Sequence, residues 1–345
     1  MSLEKIAVVG ASGYSGEELL RLLIRHPGVE LVAVTSRQLA GQTIAQVFPR
    51  FAGLRYADLA FIESDVEKIV ATGARIVFLA LPHGVATEYA RPLVAAGLKV
   101  IDLSADFRIK DVAVYADFYG EAHAAPELAA LSVYGMPEIY REQIKAAQIV
   151  ASPGCYPTSI ILPLHPLLQR GLIEPESIIV SSLSGVSGAG RNAKVDYLYV
   201  ECNESLRAYS VPKHRHLAEI EQELSLAAGA PVMINFTPHL VPVNRGIHST
   251  IYCEPAAGIE PWHIANAYTE TFGREPFIRL LGENGLPDTK NVVLTNFVDI
   301  AWRHDPRTGR FILLSAEDNL TKGAAGQAVQ SLNLLAGLPE TTGLL

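Results

Sequence analysis

The sequence predicts an α/β protein in which a parallel-sheet domain is followed by an α+β domain with a mixed or antiparallel sheet. Three observations predict it. Short apolar runs alternate with helical stretches as far as about residue 150. A glycine-rich turn at 10–16 joins the first strand to the first helix. Beyond about residue 150, Gly/Ser-rich loops and β-rich runs take over, as in an α+β domain.

Residues 5–9 (KIAVV) form a buried strand. Residues 16–26 follow as a helix whose apolar face carries Leu19, Leu20, Leu22, Leu23 and Ile24. Strands follow at 30–35, 75–81 and 99–103, with a helix at 86–96 between the last two. This spacing suits parallel strands joined by right-handed crossovers. In the second half, β-rich runs lie at 177–182, 232–238, 248–253 and 292–300, and 318–335 reads as a loop leading into a closing helix.

With 345 residues the chain is long enough for two domains. Hydrophobic residues make up 49% and charged residues 19%, a globular balance. The net charge of −8 argues against binding nucleic acid or an anionic membrane through bulk electrostatics. No apolar run reaches membrane-span length, and no secretory signal is visible at the start. The cysteines are Cys155, Cys202 and Cys253, without a CxxC pair, so a reduced, cytoplasmic setting is expected. No zinc-type ligand cluster is present, and no metal is expected.

Gly10, Gly13 and Gly16 fall between the first strand and the first helix. There a backbone without side chains turns tightly and approaches a pyrophosphate, and the helix N-terminus supplies N–H donors. The GxxGxxG spacing is a variant of the dinucleotide fingerprint, so the first domain is expected to be Rossmann-type, with Ser12, Tyr14 and Ser15 in the binding turn. The second strand ends Thr35-Ser36-Arg37 without the carboxylate that favours NAD. Ser36 and Arg37 suit a 2′-phosphate, so NADP(H) is the expected cofactor; the alternative makes Arg37 a solvated loop charge. Pro82 and His83 follow a strand end and are expected to line the cofactor crevice, His83 being otherwise a plain loop residue.

Cys155 lies in SPGCYPT, after an apolar strand and a Pro-Gly turn. Pro157 suits the first turn of a helix, which would put Cys155 at a helix N-terminus, where a thiol is activated. Pro163 and Pro166 are expected to interrupt that helix. A lone cysteine is ordinarily a small buried hydrophobe, which fits Cys253 better than Cys155. A reactive thiol with NADP(H) suits aldehyde and acyl-phosphate chemistry through a thioester.

Eight motifs carry a resemblance over nearly the whole chain: GASGYSG at 10–16, LSADFR at 103–108, YGMPE at 134–138, SPGCYPT at 152–158, SGVSGAGR at 184–191, HRH at 214–216, PHLVPVNRG at 238–246 and DNLTKGAAGQ at 318–327. With them the sequence resembles the N-acetyl-γ-glutamyl-phosphate reductases of arginine biosynthesis, whose fold is like that of aspartate-semialdehyde dehydrogenases. The resemblance implies NADPH-dependent reduction of N-acetyl-γ-glutamyl phosphate to N-acetylglutamate semialdehyde with release of phosphate. It carries the nucleophile role onto Cys155. It implies a homo-oligomer (dimer or tetramer), and a first domain of residues 1–153 completed by a C-terminal helix in 319–345. Residues 154–318 then form the catalytic and oligomerisation domain. One of His214 and His216 is expected to be the acid/base; His248, in a segment like the one that carries the dehydrogenases' catalytic histidine, is the alternative. Arg108 and Arg191 are candidates for the anionic substrate, together with Ser152, although Arg108 could instead pair with Asp106 or Asp111. Ser187, Gly188 and Asn319, inside matched motifs, join the cofactor set. Two rival functions remain: reduction of a related acyl phosphate of aspartyl or aminoadipate type, and a non-catalytic NADP(H)-sensing protein.

Overall fold

The computed structural model describes residues 3–191 and 193–345. The first elements are β1 (Glu4–Val9), α1 (Tyr14–Leu23), β2 (Val29–Thr35), α2 (Ile44–Val47), β3 (Phe61–Ile62), α3 (Val66–Ala71), β4 (Ile76–Leu79), α4 (Ala86–Ala95), β5 (Lys99–Asp102), α5 (Val112–Tyr119), α6 (Pro126–Leu131), β6 (Val133–Tyr134), α7 (Pro137–Ala146) and β7 (Ile149–Ala151). Then come α8 (Cys155–Gln169), β8 (Ile179–Gly185), α9 (Tyr199–Cys202), β9 (Arg207–Ala208), α10 (His216–Ala228), β10 (Asn235–Val241), β11 (Ile247–Cys253), α11 (Pro261–Phe272), β12 (Ile278–Gly282), β13 (Val298–Asp305), β14 (Arg310–Glu317) and α12 (Gly326–Leu335).

The chain forms two compact units. One contains Met1–Ala116, Glu121–Pro153 and Ala324–Leu345; the other contains Asp117–Gly120 and Gly154–Gly323. The chain returns to the first unit at Ala324, later than the 319 expected from sequence, because Asp318 and Asn319 bond to Arg245 and Gly246 of the second unit.

The first unit is a seven-stranded sheet of order β3-β2-β1-β4-β5-β7-β6, with every pairing parallel. Alternation along β1 builds two cores: Ile6 and Val8 pack in one cluster with residues of α1 and α12, Ala7 and Val9 in another with residues of α4. A parallel sheet needs both faces covered in this way. The strand order reverses at β1 and β4, the switch point beside which such sheets bind ligands.

The second unit is a mixed sheet of order β12-β13-β14-β11-β8-β10-β9. Helix α8 packs on β11 and β14, and α10 and α11 pack on α8. Contrary to expectation, Pro163 and Pro166 do not break α8, which runs unbroken for 15 residues. Pro163 cannot donate to the Ser159 carbonyl one turn earlier. That carbonyl instead accepts a hydrogen bond from Ser315 Oγ at 2.6 Å. The strand expected at 292–300 lies later, at Val298–Asp305, because Val292 and Thr295 are held in turns.

Candidate active site

Cys155 is the first residue of α8, and Gly154, in extended conformation, is its N-cap. A helix N-terminus stabilises negative charge, the form in which a cysteine is nucleophilic. Three neighbours in the second unit fix the turn. The Gly154 N–H donates to Glu219 Oε1 at 2.8 Å, and Glu219 is fully buried. A Cβ on Gly154 would fall 2.6 Å from His216 Nε2. On Gly323 a Cβ would fall 2.9 Å from the Cys155 Cβ and 3.1 Å from Glu317 Oε1. Glycine at 154 and 323 therefore lets an imidazole and a carboxylate-bearing strand end close on the cysteine.

His214 and His216 do not point apart. Helix α10 begins only at His216, so His214 sits in the preceding turn and its Nδ1 accepts the His216 N–H at 3.1 Å. The two rings lie 4.9 Å apart, and both meet the ring of Tyr156 edge-on. His214 is enclosed further by Tyr209 and Phe236. Burial, reinforced by the Arg215 charge, pushes its pKa down to about 4. Tyr156 and Tyr209 share a hydrogen bond of 2.8 Å between their hydroxyls, and burial raises both well above the ordinary tyrosine value.

His248 is placed differently. Ser249 Oγ bonds to Ser159 Oγ of α8 at 2.8 Å, so Ser249 faces the helix layer. Side chains alternate along a strand, and His248 therefore faces the opposite side of the sheet from α8. Burial lowers its pKa, with Asp288 acting against that.

Asn319 ties two loops together. Its amide donates to Ser187 Oγ at 2.9 Å and its carbonyl accepts from Gly246 N at 2.8 Å. Gly188 is exposed, and a Cβ there would meet Ser184 Oγ at 3.2 Å. Asp318 is buried and accepts from Arg245 and from the N–H groups of Leu294, Leu320 and Thr321. Arg191 is exposed.

In the first unit the glycine turn has three different jobs. Gly10 has φ +77, and a Cβ would lie 2.5 Å from the Ala80 carbonyl oxygen, so the ends of β1 and β4 approach closely. Gly16 packs on Ala11, where a Cβ would meet the backbone at 2.6 Å. Above Gly13, the N-cap of α1, there is open space and no side-chain cap. That is the cradle a dinucleotide's diphosphate requires. Ser12 Oγ and Ser36 Oγ lie 3.4 Å apart; Ser12 and Ser15 are partly exposed, and Tyr14 is exposed. Arg37 is exposed, 3.8 Å from Glu88. Pro82 is exposed, and His83 Nδ1 accepts from Ala105 N at 3.1 Å. Arg108 is buried and spends two donors on main-chain carbonyls, Ser152 at 2.7 Å and Leu103 at 2.8 Å. The Ser152 hydroxyl is buried and lacks a hydrogen-bond partner among the described residues.

Residues 5–147 match the family model "Semialdehyde dehydrogenase, NAD binding domain", and 155–319 match "Semialdehyde dehydrogenase, dimerisation domain". The N-acetyl-gamma-glutamyl-phosphate reductase of Akkermansia muciniphila is 58% identical, covering 100% of this chain and 99% of its own. That of Geobacter sp. strain M21 is 52% identical over 99% of this chain and 97% of its own. The chain belongs to the N-acetyl-gamma-glutamyl-phosphate reductase family. Among solved structures, aspartate semialdehyde dehydrogenase II of Vibrio cholerae, complexed with ASA, superposes with a TM-score of 0.72 at 21% identity, covering 97% of this chain and 98% of that one. The Candida albicans aspartate semialdehyde dehydrogenase with NADP gives 0.69 at 18% identity, with the same coverage. These two show the shared fold.

Membership of this reductase family does not favour the rival acyl phosphates or a silent sensor. Around Cys155, sequence reasoning singles out the cysteine and the histidine pair but not Glu219, and it takes in Gly323 only as part of the DNLTKGAAGQ motif. Glu219 was findable: it stands one helical turn after His216, on the face that also carries Ile220 and Glu223 into the interior. Apart from that motif, no local pattern marks the part Gly323 plays, since its neighbours come from α8 and β14.

Proposed function

We propose that the protein reduces N-acetyl-γ-glutamyl phosphate to N-acetyl-L-glutamate 5-semialdehyde and phosphate, reversibly and with NADPH, through a thioester on Cys155. The carrying observation is Cys155 at the first position of α8, with Gly154 held on Glu219 and the His216 ring against Gly154. The thiol proton passes to His216 as sulfur attacks the acyl carbon. The C–S bond forms, the carbon–phosphate oxygen bond breaks, and phosphate leaves. A nicotinamide dinucleotide, when bound, would supply the hydride that reduces the thioester. His216 then gives its proton to the oxygen of the resulting hemithioacetal and recovers it as the C–S bond breaks and the aldehyde forms. His214 is a supporting residue: its Nδ1 is occupied by the His216 N–H, and its aromatic enclosure disfavours the charged form.

The cofactor turn is Gly10–Gly16, with Ser12, Tyr14 and Ser15, and with Pro82 and His83 beside it. Ser187, Gly188 and Asn319 belong to the second unit, where Asn319 ties the Ser187 and Gly246 loops together. NADP(H) is preferred over NAD(H) because β2 ends without a carboxylate and Arg37 presents an exposed guanidinium. Ser152, with its unpartnered hydroxyl, and Arg191 bind substrate; Arg108 shapes the backbone around Ser152.

The protein acts as a homo-oligomer. The sheet of the second unit carries its helices on one face, and the other presents half-buried Leu183, His248, Thr250, Ile312 and Leu314. A second copy would cover that face. No disulfide is formed among the described residues, which suits the cytoplasm, and no described helix is long and apolar enough to cross a membrane. The deciding assay is NADP reduction with N-acetylglutamate semialdehyde. Turnover that requires added phosphate is expected; turnover independent of phosphate, or confined to aspartate semialdehyde, would overturn the assignment.

A further inference from the structure

Loops 81–86 and 102–108 leave the carboxyl ends of the adjacent strands β4 and β5 and are zipped to each other. Asp106 is fully buried, and each of its carboxylate oxygens takes a backbone donor: Oδ1 accepts from Gly84 N at 2.8 Å, Oδ2 from Ala86 N at 3.0 Å. The Tyr115 hydroxyl donates to the same Oδ1 at 3.4 Å. Ser104 Oγ accepts the Asp106 N–H at 3.1 Å, and His123 Nε2 bonds to the Asp106 carbonyl. Between the two captured amides lies Val85, the N-cap of α4, whose side chain caps nothing.

The Ala86 N–H belongs to the first residue of a ten-residue helix, and Gly84 lies one residue before its N-cap. Such groups, with the dipole behind them, are what a helix offers to a phosphate. At α4 they are already occupied by a carboxylate from the same unit. At α1 the corresponding terminus has a glycine N-cap, no side-chain cap and open space above it. Both termini stand at the same end of the sheet, after neighbouring strands β4 and β1.

We infer that Asp106 is a built-in anion that closes the N-terminus of α4, so that the cofactor's diphosphate goes to α1 and the Pro82–His83–Gly84 turn is held in its binding shape. Asp106 is thus a positioning residue for the cofactor, and the inference rests on the dinucleotide reading above. A loop tethered only through its own backbone would lose entropy on every binding event; a pre-formed turn does not.

Backbone hydrogen exchange on the full-length wild-type protein, with and without NADPH, tests this directly. The amides of Gly84 and Ala86 should already be slow without NADPH and gain nothing when it is added, while those of Tyr14 and Ser15 should gain protection. In parallel, Asp106→Asn should weaken NADPH binding roughly tenfold, from loss of one charge-assisted hydrogen bond. The Cys155 alkylation rate by iodoacetamide should stay unchanged. Asp65→Ala, which removes the N-cap bond of α3, is the control for loss of a helix cap elsewhere and should leave NADPH affinity unaltered. Gly84 and Ala86 amides that slow only with NADPH would overturn the inference, as would an Asp106→Asn protein that binds NADPH like wild type. If Tyr14 and Ser15 also fail to respond, the dinucleotide reading fails and takes the inference with it.

Discussion

At the scale of single residues, the proposed chemistry rests on Cys155 and the His216 ring beside Gly154. Cys155→Ser should keep NADPH binding and lose nearly all turnover, because a neutral hydroxyl is a far poorer nucleophile. Binding by fluorescence and turnover by absorbance, on one preparation, separate the two. His216→Asn should lower kcat by roughly 10²–10⁴-fold, the usual share of an acid/base group, with NADPH affinity kept. His214→Asn should instead lower thermal stability, since it empties an aromatic enclosure. A kcat loss of that size in His248→Asn alone would place the chemistry on the other face of the sheet and defeat the His216 assignment. Arg37→Asp should shift preference from NADP towards NAD; unchanged relative kcat/KM would remove Arg37 as the discriminator. These residue types were legible because reactive thiols and imidazoles are scarce and sit in marked turns. Which histidine stands against Gly154 was not legible, because it depends on where α10 starts.

At the scale of elements, close approach matters more than composition. Gly154 and Gly323 matter through the clash a side chain would make, not through backbone freedom, since neither has positive φ. Gly154→Ala should cut kcat strongly while NADPH binding holds, because its methyl would displace the His216 ring. Wild-type kcat in Gly154→Ala would show that the ring's position is irrelevant. The Pro163 problem in α8 is likewise solved by a partner distant in sequence. Ser315→Ala should leave the Ser159 carbonyl buried without a donor and cost about 1–3 kcal/mol, measured by urea unfolding. Sequence reasoning expects proline to stop a helix because it sees the lost bond and not the replacement. The glycine turn of β1 and α1, by contrast, was legible, since strand, turn and helix are contiguous there, although α1 runs Tyr14–Leu23 and not 16–26.

For the molecule as a whole, stability carries a pH signature from the LSADFR loop. Burial, then the neighbouring Asp106 charge, raises Asp102 from 3.8 to about 7, with Ser104 and Arg108 opposing. A carboxyl whose folded pKa is raised holds its proton more tightly in the native state. Its contribution is therefore full below 3.8 and is lost as pH climbs to about 7. The melting temperature should fall across that window, and Asp102→Asn should flatten the fall. Equal slopes in the two proteins would contradict the burial argument. The open sheet face carries a second whole-molecule expectation. Leu314→Arg should lower the molar mass seen by light scattering if a second copy covers Leu183, Thr250 and Leu314; an unchanged mass would move the interface elsewhere.

The sequence by itself determined the alternation that makes the first unit a parallel sheet, the glycine turn at its switch point, and the cysteine at a helix start. Each is a local property, written in the period of apolar residues or in glycine and proline at a turn. Tertiary structure alone decided that His214 and His216 share Tyr156, that Glu219 holds Gly154, that Asp106 closes α4, and that Ser315 rescues α8. Those contacts join residues from different turns of the chain. Hydrogen bonds and steric closeness at such separations follow from how helices seat on their sheets, and no local pattern records that.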